Sequence, residues 1–342
     1  MYMFKYVTKR LGLMLCTFFI IFTMCFVLIK LLPIPVNILP GMDTEIAYRT
    51  LEGRGWITNI REGANGVWEY DRVPILSQYA NYLKRIVLDG DFGIATTLPG
   101  FANKDVWNDV FIPKLPPTIL INIYSTLIGV PIGLALGIIA ALKKNKWQDQ
   151  VINVFIMLFI SVPSFVYAFL LQYFIGFKLG LCPLVMESGT DYFTWTMFHS
   201  AIMPILALSF GTIAGDMRLV RAELTETLTT DYMLLARTKG LTRKQATFRH
   251  AFRNSLVPLM PTFMADVIYV ISGSMIIEQI FAVPGIGKTY LLSISMRDYS
   301  VFMAISMFYV IIGLVAGIIF DLSYGFIDPR IRMGGGKNNE LS

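Results

Sequence analysis

Six stretches of the chain are apolar runs separated by polar, charge-bearing segments. They cover residues 11–32, 118–142, 151–177, 200–215, 258–281 and 301–320. A hydrocarbon core about 30 Å thick needs roughly 20 apolar residues in a helix, so the run at 200–215 is the weakest of the six. Lys30 is the one charge in the first run. In the second, Gly129, Gly133 and Gly137 recur every four residues, share a helix face and predict a seam where another helix approaches closely. Pro163, within Ser161-Val162-Pro163-Ser164-Phe165, predicts a bend in the third run, with Ser161 or Ser164 helping to satisfy the freed carbonyl. Pro204 and Gly211 break the fourth.

The polar segments set an orientation. Lys5, Lys9 and Arg10 precede the first run, and Lys143, Lys144 and Lys146 follow the second. Residues 231–258 carry Arg237, Lys239, Arg243, Lys244, Arg249 and Arg253 with Asp231 as their only acid, and Arg330, Arg332 and Lys337 follow the sixth. Lys and Arg concentrate on the cytoplasmic side of membrane proteins. Six crossings with both ends in the cytoplasm place all four clusters there, and an odd number does not. The first run is longer than the roughly 7–15-residue core of a secretory signal and is read as a retained span.

The expected division is a cytoplasmic N-terminus (1–10), a first span (11–32), an extracytoplasmic loop (33–117), a five-span core (118–325) containing a cytoplasmic loop (216–257), and a cytoplasmic tail (326–342). Within the outer loop, Tyr79, Tyr82, Leu83 and Ile86 have helical spacing and Asp89-Gly90 ends the pattern, predicting an amphipathic helix on the outer membrane face. The fold class is an all-α polytopic membrane protein.

In the basic stretch, Gly240 closes one helix and Thr242 caps the next, which runs to the residues before Pro258. Two short helices about a glycine elbow form a projecting knob that can pass a push from a cytoplasmic partner to the spans on either side. Composition fits the same picture: 55% of the 342 residues are hydrophobic and 15% charged, outside the range of ordinary soluble domains. The formal net charge of +6 follows from topology. The basic residues do not interleave with aromatics on an accessible surface, so no nucleic acid is expected. Cys16, Cys25 and Cys182 form no CxxC pair, and His199 and His250 lie far apart, so neither a metal site nor a disulfide framework is indicated.

One motif points to a different class. Residues 282–289, AVPGIGKT, match the phosphate-binding loop GxxxxGK[ST] except for Ala282 in the first glycine position, and GIIFD at 317–321 imitates a strand ending in a magnesium-binding aspartate. A phosphate loop must join a sheet strand to a helix in a cytoplasmic fold. Here it follows a span running outward, and Asp321 lies at the far end of the next one. The glycines are read instead as a tight outer turn, with Glu278, Phe281, Pro284, Gly285 and Gly287 as an outer gate. Asp266 stands about two turns inside the fifth run, where an ionisable group is a functional candidate by default. It attracts a substrate's ammonium group, pairs with Tyr, Ser or Lys of a neighbouring span, or is held neutral. Ser161 and Ser164 join it as candidate pathway residues.

The core ARTKGL at 236–241, followed by RHAFRNSLVP at 249–258, resembles the coupling loop of permease subunits in binding-protein-dependent ABC importers, in the form carried by the peptide and nickel subfamily. Leu234 and Leu235 stand where the general motif has small residues, and Ala236 keeps one. The likeness continues in order through residues 78–93, 116–142, 161–171, 273–287, 297–299 and 321–332, while 44–71 has no counterpart. Gly317 departs from an asparagine that related chains often carry.

The resemblance implies a six-span type I ABC importer permease fold with a large extracytoplasmic loop after the first span, set in the cell membrane. The implied partners are a homologous second permease forming a heterodimer, two cytoplasmic ATPases that bind the ATP and magnesium, and an extracytoplasmic peptide-binding protein. This chain itself holds no cofactor and performs no covalent chemistry. Asp231, Tyr232, Ala236 and Gly240 are expected to shape the helix that docks on an ATPase, with Arg237, Lys239, Arg243 and Lys244 as its charged rim. The expected cargo is an oligopeptide or dipeptide. Importers of nickel, haem or sugar share the architecture. A stand-alone secondary transporter differs in needing no ATPase.

Overall fold

The computed structural model describes residues 2–34, 44–63, 68–189 and 191–327, and side chains between residues 7 and 320. In chain order the elements are α1 (Tyr2–Leu31), α2 (Thr44–Gly53), β1 (Ile57–Glu62), β2 (Trp68–Arg72), α3 (Ile75–Lys84), α4 (Leu115–Leu142), α5 (Trp147–Ser161), α6 (Ser164–Leu171) and α7 (Trp195–Leu228). There follow α8 (Asp231–Thr238), α9 (Arg243–Ala246), α10 (Arg253–Tyr269), α11 (Met275–Ile280), α12 (Ile286–Ser295) and α13 (Tyr299–Ile327). Among the described residues four helices are long and apolar enough to cross a membrane: Val7–Leu31, Val106–Leu142, Trp195–Leu228 and Tyr299–Phe320. The bent pair Trp147–Ser161 and Ser164–Lys178 makes a fifth if counted as one span. The chain divides into two compact units, residues 1–114 with 289–311 and residues 115–288 with 312–342.

In the first unit the amphipathic stripe of α3 packs on α1. Tyr79, Tyr82, Leu83 and Ile86 join the cluster built on Phe22, Phe26 and Ile29. The Tyr79 and Thr23 hydroxyls hydrogen-bond at 2.6 Å. Gly90, at φ 64°, ends the helical path as the sequence indicates. Residues 44–62 and 68–72, which no motif explains, form α2 and an antiparallel hairpin, a small exception in an otherwise helical chain. Ala47, Leu51 and Ile57 are its buried anchors. Asp298 acts as a clasp, its Oδ2 accepting the backbone N–H groups of Thr96, Thr97 and Leu98 at 2.7, 2.9 and 3.0 Å.

The second unit is built on the α4–α7 seam. A Cβ on Gly129, Gly133 or Gly137 would come within 2.9, 2.7 or 2.7 Å of Thr212, Asp216 or Val220 of α7. The three glycines therefore set how closely the two backbones approach. This contact also explains why α7 is a single helix of 34 residues, although the sequence suggests a run broken by Pro204 and Gly211 and ending at Gly215. Met203, Pro204 and Ile205 are buried, so packing outweighs the lost proline hydrogen bond. Asp216 and Arg221, expected in a loop beginning at 216, lie inside this helix. Asp216 is buried beneath Gly133. Arg221 forms a bidentate pair with Asp149 at the start of α5, at 2.6 and 3.0 Å.

Two further runs are interrupted. At Val162 and Pro163 the backbone is extended, and α5 and α6 meet at 102°. Ser164 hydrogen-bonds with Tyr167. The helix expected to stop before Pro258 continues through Pro258 and Pro261 to Tyr269, as membrane helices allow when neighbours satisfy the freed backbone groups. The run at 258–281 is not one helix. Its chain turns at residues 270–274, with Gly273 at φ 70°, before α11 begins.

Candidate coupling knob and buried glutamate

The basic stretch folds as the elbow its sequence indicates. α8 closes at Lys239, and Gly240 at φ 90° turns the chain. Thr242 then forms a capping box with Gln245: its Oγ1 accepts the Gln245 N–H at 3.3 Å, and its own N–H reaches Gln245 Oε1 at 3.0 Å. A non-glycine residue at such a φ costs about 1–2 kcal/mol. The elbow therefore selects glycine for conformation, since the space around Gly240 is open.

α8 has two faces. Met233 and Ala236 are buried in a cluster with Ala141, Leu224, Ala246 and Ala251, which fastens the knob to the ends of α4 and α7. Ala236, expected to help shape the docking helix, is an internal anchor. The outward face carries Tyr232, Leu234 and Leu235, with 37, 64 and 55% of their surface exposed. Asp231, Arg237, Lys239, Arg243 and Lys244 are also exposed. Among the described residues none of these four cations forms an ion pair. Leu234 and Leu235, which stand where the general motif has small residues, are legible as surface only once Met233 and Ala236 are seen to point inward.

The AVPGIGKT segment lies on an internal carboxylate. Glu278 and Phe281 are fully buried. Glu278 Oε1 accepts the Thr118 hydroxyl at 2.9 Å, and its Oε2 accepts the Lys288 N–H at 3.0 Å. Thr118 in turn accepts the Ile286 N–H at 2.9 Å. A Cβ on Gly273, Gly285 or Gly287 would run into Glu278, and on Gly273 or Gly285 into Thr118 as well. The glycine pattern that imitates a phosphate loop is thus a cradle for the chain's own glutamate. Pro284 is partly exposed at its rim.

Among the described residues no hydrogen bond or ion pair joins Asp266 to the tyrosine, serine or lysine partner considered from its sequence. It lies within electrostatic reach of a second acid, Asp216, and each leaves an oxygen without a hydrogen bond among the described residues. No hydrogen bond there joins Ser161 or Ser164 to it. The side chain of Asp321 and the basic residues Arg330, Arg332 and Lys337 lie outside the described residues.

A family model described as "binding-protein-dependent transport system inner membrane component" matches residues 133–333. The chain is 34% identical over 331 residues to the dipeptide transport system permease protein DppB of Lactococcus lactis subsp. cremoris, covering 97% of this chain and 100% of that one. It is also 34% identical to the protein of the same name from Bacillus subtilis, over 96% of this chain and 98% of the relative. With the oligopeptide transport system permease protein OppB of Mycoplasma genitalium the identity is 31%, over 99% and 79%. The chain belongs to the inner membrane components of binding-protein-dependent transport systems.

Proposed function

We propose that this chain forms half of a translocation pathway for dipeptides or oligopeptides, pairs with a homologous permease, and is driven by two ATPases, one of which seats against α8. The proposal includes a binding protein delivering peptide to the outer face and both chain termini in the cytoplasm. ATP and magnesium belong to the partners in this reading, and the chain is non-catalytic.

The observation that carries it is the two-faced knob. Met233 and Ala236 lock α8 to α4 and α7 through a shared core, while Tyr232, Leu234 and Leu235 present an apolar surface, with Arg237 and Lys239 exposed on the same segment and in no ion pair among the described residues. A partner pressing on that surface moves elements continuous with the membrane helices, since α9 leads through a helical turn at Thr247–Phe252 directly into α10. Aromatic and aliphatic anchors inside a charged rim are the usual anatomy of such an interface. In this reading Glu278, Phe281, Gly285 and Gly287 hold the outer gate, and Asp266 with Ser161 and Ser164 borders the pathway.

Gly240→Val forces a β-branched residue into a left-handed conformation, and Leu234→Asp with Leu235→Asp leaves the elbow intact while charging the surface. Both variants are expected to assemble with the second permease yet lose most peptide uptake and most stimulation of ATP hydrolysis by the binding protein. Normal uptake by both, in assembled complexes, would refute the coupling role.

A further inference from the structure

A cavity of about 240 Å³ lies wholly within the first unit, lined by residues from the end of α1, the turn after α2, α3 and the start of α13. Its charged lining is lopsided: Lys30, Arg54 and Arg85 against Asp91 alone. Asp91 Oδ1 already accepts the Gly93 N–H at 2.7 Å. Asp298 acts electrostatically on Arg54, but its Oδ2 is committed to three backbone N–H groups. Among the described residues no acid forms an ion pair with any of the three cations.

Other lining groups are equally open. Arg54 Nε, Gln78 Oε1 and the Tyr82 hydroxyl are buried without a hydrogen-bond partner among the described residues. Burial pushes the Arg54 guanidinium down from its ordinary pKa, an effect Asp298 only partly offsets. The Lys30 ammonium stands 3.5 Å from the centroid of the Trp56 ring, which attracts a cation but leaves its hydrogen-bond donors free. Three cations gathered in a half-buried cavity with unused donors are unfavourable until an anion neutralises them. A tetrahedral oxyanion offers enough acceptors to engage two guanidinium groups, an ammonium and a phenol together.

We propose that this cavity binds the phosphate group of an anionic molecule through Lys30, Arg54, Arg85 and the Tyr82 hydroxyl. An anionic phospholipid suits the position. Lys30 lies in the last turn of α1, at the end of the apolar helix Val7–Leu31, where headgroups reside. Ile20, Met24, Leu28 and Leu31 are exposed along α1 up to that end, so acyl chains have a surface to follow. Inorganic phosphate satisfies the same donors without using that surface.

The test uses the assembled transporter purified in neutral detergent and offered phosphatidylglycerol, phosphatidylcholine or inorganic phosphate, with retention read by native mass spectrometry and affinity by calorimetry. Wild type is expected to hold phosphatidylglycerol at least about tenfold more tightly than phosphatidylcholine. The preference is expected to fall by about tenfold or more in Arg54→Gln with Arg85→Gln, and in Lys30→Gln, and to return in part in Arg85→Lys. Phosphate binding that these variants abolish, without preferential phospholipid retention, supports the site with a soluble source. If the double variant does not assemble, Lys30→Gln alone decides. Equal affinities in wild type and variants, or no binding of any probe, overturns the proposal.

Discussion

Glu278 sits where three glycines and a threonine leave room for one carboxylate and nothing larger. Its oxygens receive the Thr118 hydroxyl and the Lys288 N–H, and Gly285 approaches so closely that one added methyl meets both Glu278 and Thr118. Overpacking of this kind typically costs about 1–3 kcal/mol. Gly285→Ala is therefore expected to lower the thermal unfolding midpoint of the purified protein. Glu278→Gln, which turns an amide donor toward a region supplied with backbone donors, should do so too. Unfolding of Gly285→Ala at the wild-type temperature would show that the cradle relaxes and that the glycines are not selected by Glu278. The sequence displays the glycines and is read as a tight outer turn, but it does not show the carboxylate they enclose. Only the fold brings Glu278, ten residues before Lys288, under the loop's own N–H groups.

Among the helices, the α4–α7 seam allows a graded test. At Gly133 and Gly137 an added Cβ meets both a side chain at 2.7 Å and a backbone carbonyl oxygen at 3.1 or 3.0 Å, so no rotamer change removes the clash. Gly317 of α13 has nothing within 4 Å. Gly133→Leu and Gly137→Leu are thus expected to reduce both folded yield and unfolding temperature. Gly317→Ala should be neutral or stabilising by up to about 1 kcal/mol, the helix-propensity gain of alanine over glycine. Unchanged or raised unfolding temperatures in Gly133→Leu and Gly137→Leu, as in Gly317→Ala, would mean that helix propensity, not close approach, governs the seam.

Much of this level is legible in advance. Apolar runs locate α1, α4 and α13, four-residue spacing locates the seam, and Gly240 with Thr242 locates the elbow. The continuation of α7 is not legible, because Asp216 and Arg221 look like the end of a span. Asp216 is covered by Gly133, and Arg221 is neutralised by Asp149, a partner 72 residues away. The strand pair at 57–62 and 68–72 escapes for a similar reason: the buried anchors Ala47 and Leu51 of α2 and Ile57 of β1 are too few to set a period.

For the molecule as a whole, the question is how many crossings separate the lysines at 143–146 from the basic knob. Helix counting leaves this open, because α5 and α6 meet at 102° and that geometry suits either a broken span or a re-entrant loop. Contacts within the second unit decide it. Asp149, at the start of α5, is paired with Arg221 near the end of α7. Ala141, at the end of α4, shares a core with Leu224 of α7 and with Met233 and Ala236 of the knob. The lysine turn and the knob therefore lie at the same level of the membrane, and an even number of crossings joins them. With α7 as one crossing, α5 and α6 together are expected to supply the other, which puts Phe193, on the turn between them and α7, on the expected opposite side. In a cysteine-free background, replacing Cys16, Cys25 and Cys182, single cysteines at Lys144 and Arg243 should both resist a membrane-impermeant maleimide in intact cells and react after permeabilisation. A cysteine at Phe193, whose surface is 95% exposed, should react without permeabilisation. Labelling of Lys144→Cys and Arg243→Cys from different sides would make the bent pair a re-entrant loop and place the knob where no cytoplasmic ATPase can reach it.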